Sequence, residues 1–268
     1  MARTKVMGVL NVTPDSFSDG GAFQDVPVAI SHALELVSAG ADIIDVGGES
    51  TRPGAQPVEE ATEINRVIPV VAALADRGVT VSVDTTKAGV AAAAITAGAS
   101  IVNDVSGGLA DPEMAEVIAD HKDVRYIVGH WRGNPRVMDQ HAQYEDVTKE
   151  VTAELAARVA ALLLQGVESR QLIVDPCLGF AKAGNHNWSI LAHLNTLAAL
   201  GYPLLIGASR KRFLGEVAED VDAATVAITT QAALAGVWAV RVHDVAANRA
   251  AVNVAAKLRS FMDEKEHS

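Results

Sequence analysis

Eight short apolar runs punctuate the chain, and nothing else in it limits the possible folds as much. They cover residues 6–12, 42–46, 79–83, 100–105, 124–128, 172–174, 204–206 and 237–242. Each is rich in Val and Ile and shows no alternation of polar and apolar positions. That is how a parallel strand reads when both of its faces are covered. Helical spacing fills the gaps between them. Ile30, Ala33, Leu34 and Val37 follow an i, i+3, i+4, i+7 pattern, with Pro27 near the start and Gly40 after the end. Ile64, Val67, Ile68 and Val71 repeat it up to Gly78, and Val90, Ala93, Ala94 and Ala97 up to Gly98. Stretches built on Leu155, Val159 and Leu162, on Ile190, Leu194 and Leu197, and on Ala247, Ala250, Ala251 and Val254 behave alike. Proline near a helix start and glycine past its end is the expected punctuation.

Eight βα units in 268 residues predict a single (β/α)8 TIM barrel. A doubly wound open sheet is the runner-up, and it more often has fewer strands. Residues 39–48 and 97–108 echo each other, as repeated βα entries would. No linker or charge block divides the chain, so one domain over residues 1–262 is expected, followed by a polar tail at 263–268.

Composition narrows the partners. Lys plus Arg is 22 against 33 for Asp plus Glu, a net charge of −11. A nucleic-acid binder needs a basic face, and an anionic membrane surface would repel this chain. The first apolar run is too short for a signal peptide, and no run approaches a membrane span. With one cysteine, Cys177, no internal disulfide can form. A reducing, cytoplasmic setting is expected.

In a barrel, chemistry gathers at the C-terminal ends of the strands. Those ends carry Asn11, then residues 47–54, Asp84, Asn103 and Asp104, His130, Asp175, residues 209–211, and Arg241 with His243. One polar group after an apolar run is as often a structural hydrogen bond as a functional group. Eight such ends converging on one mouth indicate a site. Carboxylates in a dry pocket suit a planar amino-amidine edge, such as a pterin or guanine presents. The cations Arg52, Lys211, Arg241 and His243 suit a phosphorylated group. The opposing view makes Arg210 and Lys211 surface charges and Asp175 a helix cap. Two long glycine-containing loops, 11–21 and 49–54, carry the apolar Phe17 and Pro53, which are either loop anchors or walls of a second, aromatic-sized pocket.

Seven segments in order carry a resemblance. They are 8–21 (GVLNVTPDSFSDGG), 45–54 (DVGGESTRPG), 82–85 (SVDT), 103–107 (NDVSG), 175–180 (DPCLGF), 207–215 (GASRKRFLG) and 241–244 (RVHD). Together they resemble the dihydropteroate synthase family across nearly the whole chain. The resemblance implies joining of 6-hydroxymethyl-7,8-dihydropterin diphosphate to 4-aminobenzoate, with sulfonamides as inhibitors, Mg²⁺ as cofactor and a homodimer as the assembly. It implies that Asp84, Asn103 and Asp175 contact the pterin edge and that Lys211 reaches the pterin ring and the aminobenzoate side. By the same resemblance Arg241, His243 and Thr51 contact diphosphate, and Asn11 is the side-chain ligand of Mg²⁺. Phe17, Pro53 and Ser209 form the aminobenzoate pocket when both loops close, and Arg52 and Asp19 join Lys211 in the closed catalytic state. Phe180 and Gly207, within the matching segments, belong to the substrate-binding set.

Two positions depart from the family pattern. Gly129 stands where the family usually has Met before the strand-five His, so Trp131 or a neighbour is expected to fill the space beside the pterin. Cys177 replaces a usual glycine and is expected to be an inert core residue. Two competitors share parts of the pattern. A pterin-binding methyltransferase domain would not need residues 209–211 and 241–243 as a phosphate set. A silent pterin-binding paralogue should have lost loop residues that are all present here.

Overall fold

The computed structural model describes residues 3–13, 22–49, 58–133 and 137–265. Its eight strands are β1 (Lys5–Asn11), β2 (Ile43–Gly47), β3 (Val81–Asp84), β4 (Ile101–Asp104), β5 (Arg125–Gly129), β6 (Leu172–Asp175), β7 (Leu205–Ile206) and β8 (Ala239–Val242). All pair in parallel in the order β6-β5-β4-β3-β2-β1-β8-β7. The remaining seam, between β6 and β7, is joined by a parallel bridge from Val174 to Leu204. The Val174 N–H donates to the Pro203 carbonyl at 2.9 Å there. The expected barrel is therefore the observed one, and its weakest seam lies beside its shortest strand.

The helices are α1 (Ala22–Ser38), α2 (Glu60–Ala75), α3 (Ala88–Thr96), α4 (Met114–Asp120), α5 (Val147–Leu164), α6 (Gly184–Ala192), α7 (Leu194–Ala198), α8 (Val221–Leu234) and α9 (Val245–Lys265). Gly40, Gly78 and Gly98 follow α1, α2 and α3 with φ of 106°, 74° and 106°, a left-handed backbone that glycine enters without a Cβ penalty. Asp146 and Asp220 cap α5 and α8 by accepting backbone N–H bonds from Lys149 and Ala223. α9 continues to Lys265, three residues into the stretch assigned from sequence to a polar tail.

Strand alternation divides the core in two. Outward-facing Val6, Leu10, Ile44, Val46, Val81, Val83, Val102, Val128 and Val174 pack with the helices. Inward-facing Met7, Ile43, Ile101, Ile127, Ile173, Leu205 and Ala239 fill the barrel axis, with Trp238 against them at the N-terminal end. This plug closes the barrel below. Apart from Val9, the inward strand positions above it are polar or glycine.

Candidate active site

The register sets that upper layer. Asn11, Gly47, Asp84 and Asn103 stand side by side across β1, β2, β3 and β4. Gly129 stands beside Asp175 across β5 and β6. Gly207 follows β7, and Arg241 lies on β8 opposite Met7. Three of these inward positions are glycine, so the barrel mouth is a cup with acidic and amide walls. A Cβ at Gly207 would meet only the Arg241 Cβ within ordinary contact, at 3.8 Å, which leaves that wall open.

Arg241 organises the floor of the cup. Its Nε donates to Asp45 Oδ2 at 2.6 Å and its terminal nitrogen to Asp84 Oδ2 at 2.6 Å. Asn103 Nδ2 donates to the same Asp45 oxygen at 3.0 Å, which turns the Asn103 carbonyl oxygen to other use. Asp45 is fully buried, and its Oδ1 has no hydrogen-bond partner; neither does Oγ of Ser82, its register neighbour. Two unanswered polar atoms under a polar ring suit a heterocycle or water better than an apolar ligand. Burial pushes the Asp84 carboxyl up to about 7 although Arg241 opposes it. One cation shared between two buried acids leaves one of them without full compensation.

Across the cup, Asp175 is 8% exposed. Its Oδ1 accepts the Cys177 N–H at 2.7 Å, and its second oxygen is left for a ligand. Burial raises its pKa. Lys211 Nζ donates to the Leu178 carbonyl at 2.7 Å and sits 4.2 Å from the Phe180 ring centre. Burial draws Lys211 down to about 8, so it is charged at neutral pH and readily gives up a proton above that. Ser209 Oγ and His243 Nδ1 are 2.9 Å apart, and the His243 N–H also donates to Ser209 Oγ. Burial, with Arg241 nearby, lowers His243 to about 4, so it is neutral at pH 7.

Most of the sequence-derived set therefore meets in one place: Asn11, Asp84, Asn103, Asp175, Phe180, Gly207, Ser209, Lys211, Arg241 and His243 ring the mouth. The surface-charge view holds for Arg210, which is exposed and paired with Asp222, and fails for Lys211. Phe17, Asp19, Thr51, Arg52 and Pro53 lie outside the described residues. Glu49, just after β2, accepts the Val58 N–H, and Lys87 binds both Glu49 and buried Glu63.

Other expectations need correction. Arg241, expected at the diphosphate, has its Nε and one terminal nitrogen on Asp45 and Asp84, and its second terminal nitrogen is engaged by neither acid. Asp104 faces outward: it accepts bonds from the Ser106 N–H, the Ser106 hydroxyl, the Gly108 N–H and the Tyr126 hydroxyl at 2.7–2.8 Å, bracing the turn after β4. His130 also leaves the cup, donating or accepting toward Glu154 of α5 at 2.9 Å and toward Lys182 at 2.9 Å. The space beside Gly129 is filled by backbone, not by Trp131. A Cβ on Gly129 would lie 2.4 Å from the Val105 carbonyl oxygen, where no Cβ fits. Cys177 is buried, burial raises its thiol, and it adopts φ 51°, the conformation a glycine would take freely. Asp45 and Lys182 were missed. Asp45 had a signal, a carboxylate inside an Ile/Val run and in phase with the inward positions. Lys182 had none beyond its place in the loop after β6.

A barrel whose C-terminal mouth is lined with acids and an amide for a flat, N–H-rich edge, beside cations, describes a pterin-binding enzyme. The pterin binding enzyme family model matches residues 7–243, and the chain belongs to that family. The dihydropteroate synthase of Mycobacterium leprae is 49% identical over 265 residues, covering 95% of this chain and 93% of that one. The structure of Xanthomonas albilineans dihydropteroate synthase with 4-aminobenzoic acid aligns with a TM-score of 0.89 at 42% identity, covering 96% of this chain and 93% of that chain. Yersinia pestis dihydropteroate synthase, solved with a sulfonamide drug, aligns at 0.89 and 39% identity, over 96% and 95%.

Proposed function

We propose that this chain is a transferase that condenses 6-hydroxymethyl-7,8-dihydropterin diphosphate with 4-aminobenzoate, giving 7,8-dihydropteroate and diphosphate. The carrying observation is the cup itself: Asp84, Asn103 and Asp175 bring acceptor oxygens to one mouth, with Lys211 and Arg241 between them. An amino-amidine edge offers parallel N–H donors, and two carboxylates and an amide oxygen answer them. In the reaction the methylene carbon loses its bond to the diphosphate oxygen, gains one to the aminobenzoate nitrogen, and that nitrogen gives up a proton. No protein nucleophile is needed. Lys211, on the rim beside Phe180, orients the ring between the two substrates. His243, with Ser209 against its Nδ1, offers a neutral donor toward the leaving group. Sulfonamides occupy the aminobenzoate side, in keeping with the drug in the Yersinia relative.

The donor set fits Mg²⁺ carried in by the substrate. Among the described residues no three His, Cys, Asp or Glu gather as a metal cage. Asn11 Oδ1 faces the open position over Gly47, 3.7 Å from where a Cβ would stand. One neutral oxygen suits an ion held mainly by phosphate oxygens and water, and Asn11 would hold it. Bound there, Mg²⁺ would offset charge on the departing diphosphate.

A homodimer through α9 is part of this proposal. Val254, Leu258 and Phe261 recur at i, i+4, i+7 and are 55%, 49% and 56% exposed, with Met262 beside them. An apolar stripe of this kind is unusual on a free surface. α8 packs mainly on α9 of the same chain. A cytoplasmic setting agrees with the single buried thiol. No helix of the described residues is long and apolar enough to cross a membrane. The test is release of diphosphate when both substrates and Mg²⁺ are supplied. Release that requires aminobenzoate, with dihydropteroate formed in equal amount, is the expected result. Methyl transfer instead, or pterin binding without turnover, would overturn the reading.

A further inference from the structure

The turn that follows β6 has an unusual backbone. Cys177, Gly179 and Ala181 take φ of 51°, 78° and 51°, and two of these three are not glycine. A left-handed non-glycine residue costs about 1–2 kcal/mol and persists only where its surroundings hold it. What holds this turn is Lys182. Its side chain is buried, and Nζ reaches the Phe180 carbonyl at 2.9 Å, the Cys177 carbonyl at 3.3 Å and His130 Nδ1 at 2.9 Å. An ammonium has three donors, and these three acceptors use them all. With Nδ1 accepting, His130 carries its hydrogen on Nε2 and donates it to Glu154, which also takes the Arg132 guanidinium at 3.0 Å. Burial draws Lys182 down to about 8 and His130 to about 4, so at neutral pH the lysine is charged and the imidazole is not, as this bonding requires.

The same turn carries the site. Asp175 is held by the Cys177 N–H, Lys211 is seated on the Leu178 carbonyl, and Phe180 lies under Lys211. Lys182 touches none of the cup atoms that would meet the substrate. We propose that Lys182 is a positioning residue for pterin recognition, tying the 177–181 turn to His130 and through Glu154 to α5 so that Asp175 and Lys211 keep their places. This rests on the reading of Asp175 and Lys211 as pterin contacts.

The test is steady-state kinetics of the purified full chain with Lys182→Met, which keeps the stem and removes all three donors. The KM for the pterin diphosphate should rise tenfold or more, while that for aminobenzoate, which would meet Lys211 but not Asp175, rises by a few-fold at most. A folded variant with a parental pterin KM, or with both KM values raised alike, overturns the proposal and leaves the condensing activity intact. A parent that shows no turnover takes down the functional reading and the proposal with it. If Lys182→Met does not fold, His130→Leu decides. It deletes one acceptor and leaves both carbonyl bonds, so the same selective rise should appear at several-fold. An unchanged pterin KM in that variant overturns the proposal.

Discussion

Arg241, Asp45 and Asp84 show what strand ends alone cannot reveal. Each was visible in the sequence as a polar residue in or after an apolar run, but Arg241 and Asp45 are 196 positions apart, and only closure of the barrel makes them partners. The acid in excess over that one cation leaves a pH signature. The Asp84 pKa in the folded chain, about 7, lies above its ordinary value of 3.8, so the folded state holds the proton where the unfolded chain has lost it. The penalty is absent below about pH 4, grows as pH rises, and is complete above about 7. Asp84→Asn removes it. Between pH 4 and 7 the stability difference should therefore move toward the variant by about 1–3 kcal/mol, within the 1.4 kcal/mol per unit conversion. Urea unfolding of both chains at pH 4.5 and 7.5 measures this; a difference that is constant, or moves toward the parent, contradicts it. Cys177 offers a second reading at this scale. Cys177→Gly relieves a left-handed residue but loosens the unfolded chain, so stability should change by less than about 1 kcal/mol. Cys177→Val puts a branched side chain in the same backbone and should lose more than about 1 kcal/mol. Equal denaturation midpoints for the two variants would show that the backbone conformation at 177 carries no cost.

At the level of elements, the eight runs and the ends of α1, α2 and α3 were legible, because Val/Ile density and terminal glycine are local signals. Phase was not. Asn103 and Asp104 are adjacent and equally polar, yet one faces the cup and the other braces the turn after β4, and only the register of β4 against β3 decides between them. The crossing of the 105–108 turn over β5 was also illegible, since it depends on backbone that approaches Gly129 to within a distance no side chain tolerates. Gly129→Ala should therefore push Val105 and, through β4, Asn103. Overpacking of this kind typically costs about 1–3 kcal/mol. The melting temperature should fall by several degrees and pterin affinity should weaken in step. An alanine variant with parental melting and binding would mean that the β4 turn yields freely.

Taken whole, the barrel separates stability from function along its axis. Below, Met7, Ile43, Ile101, Ile127, Ile173, Leu205 and Ala239 form an apolar plug; above, the same strands carry acids, an amide and an arginine that bond one another around an open mouth. The plug and the helical shell followed from hydrophobic pattern, whereas the site residues expected on 14–21 and 50–57 lie outside the described residues. The exposed stripe on α9 belongs to this scale. Leu258→Arg should convert a dimer to monomer in sedimentation equilibrium, because a charge in a desolvated apolar contact is strongly disfavoured; a parent that is already monomeric at micromolar concentration would exclude that interface. The identity of the upper layer as a pterin site is tested most directly by calorimetric titration of the pterin diphosphate into the parent and Asp175→Asn. The asparagine can keep its carbonyl on the Cys177 N–H only by turning its amide toward the pterin, so donor meets donor. Losing a charge-assisted hydrogen bond there should cost about 1.5–3 kcal/mol, roughly a 10- to 150-fold rise in Kd. An Asp175→Asn protein that binds the pterin within twofold of the parent would contradict the assignment of the cup.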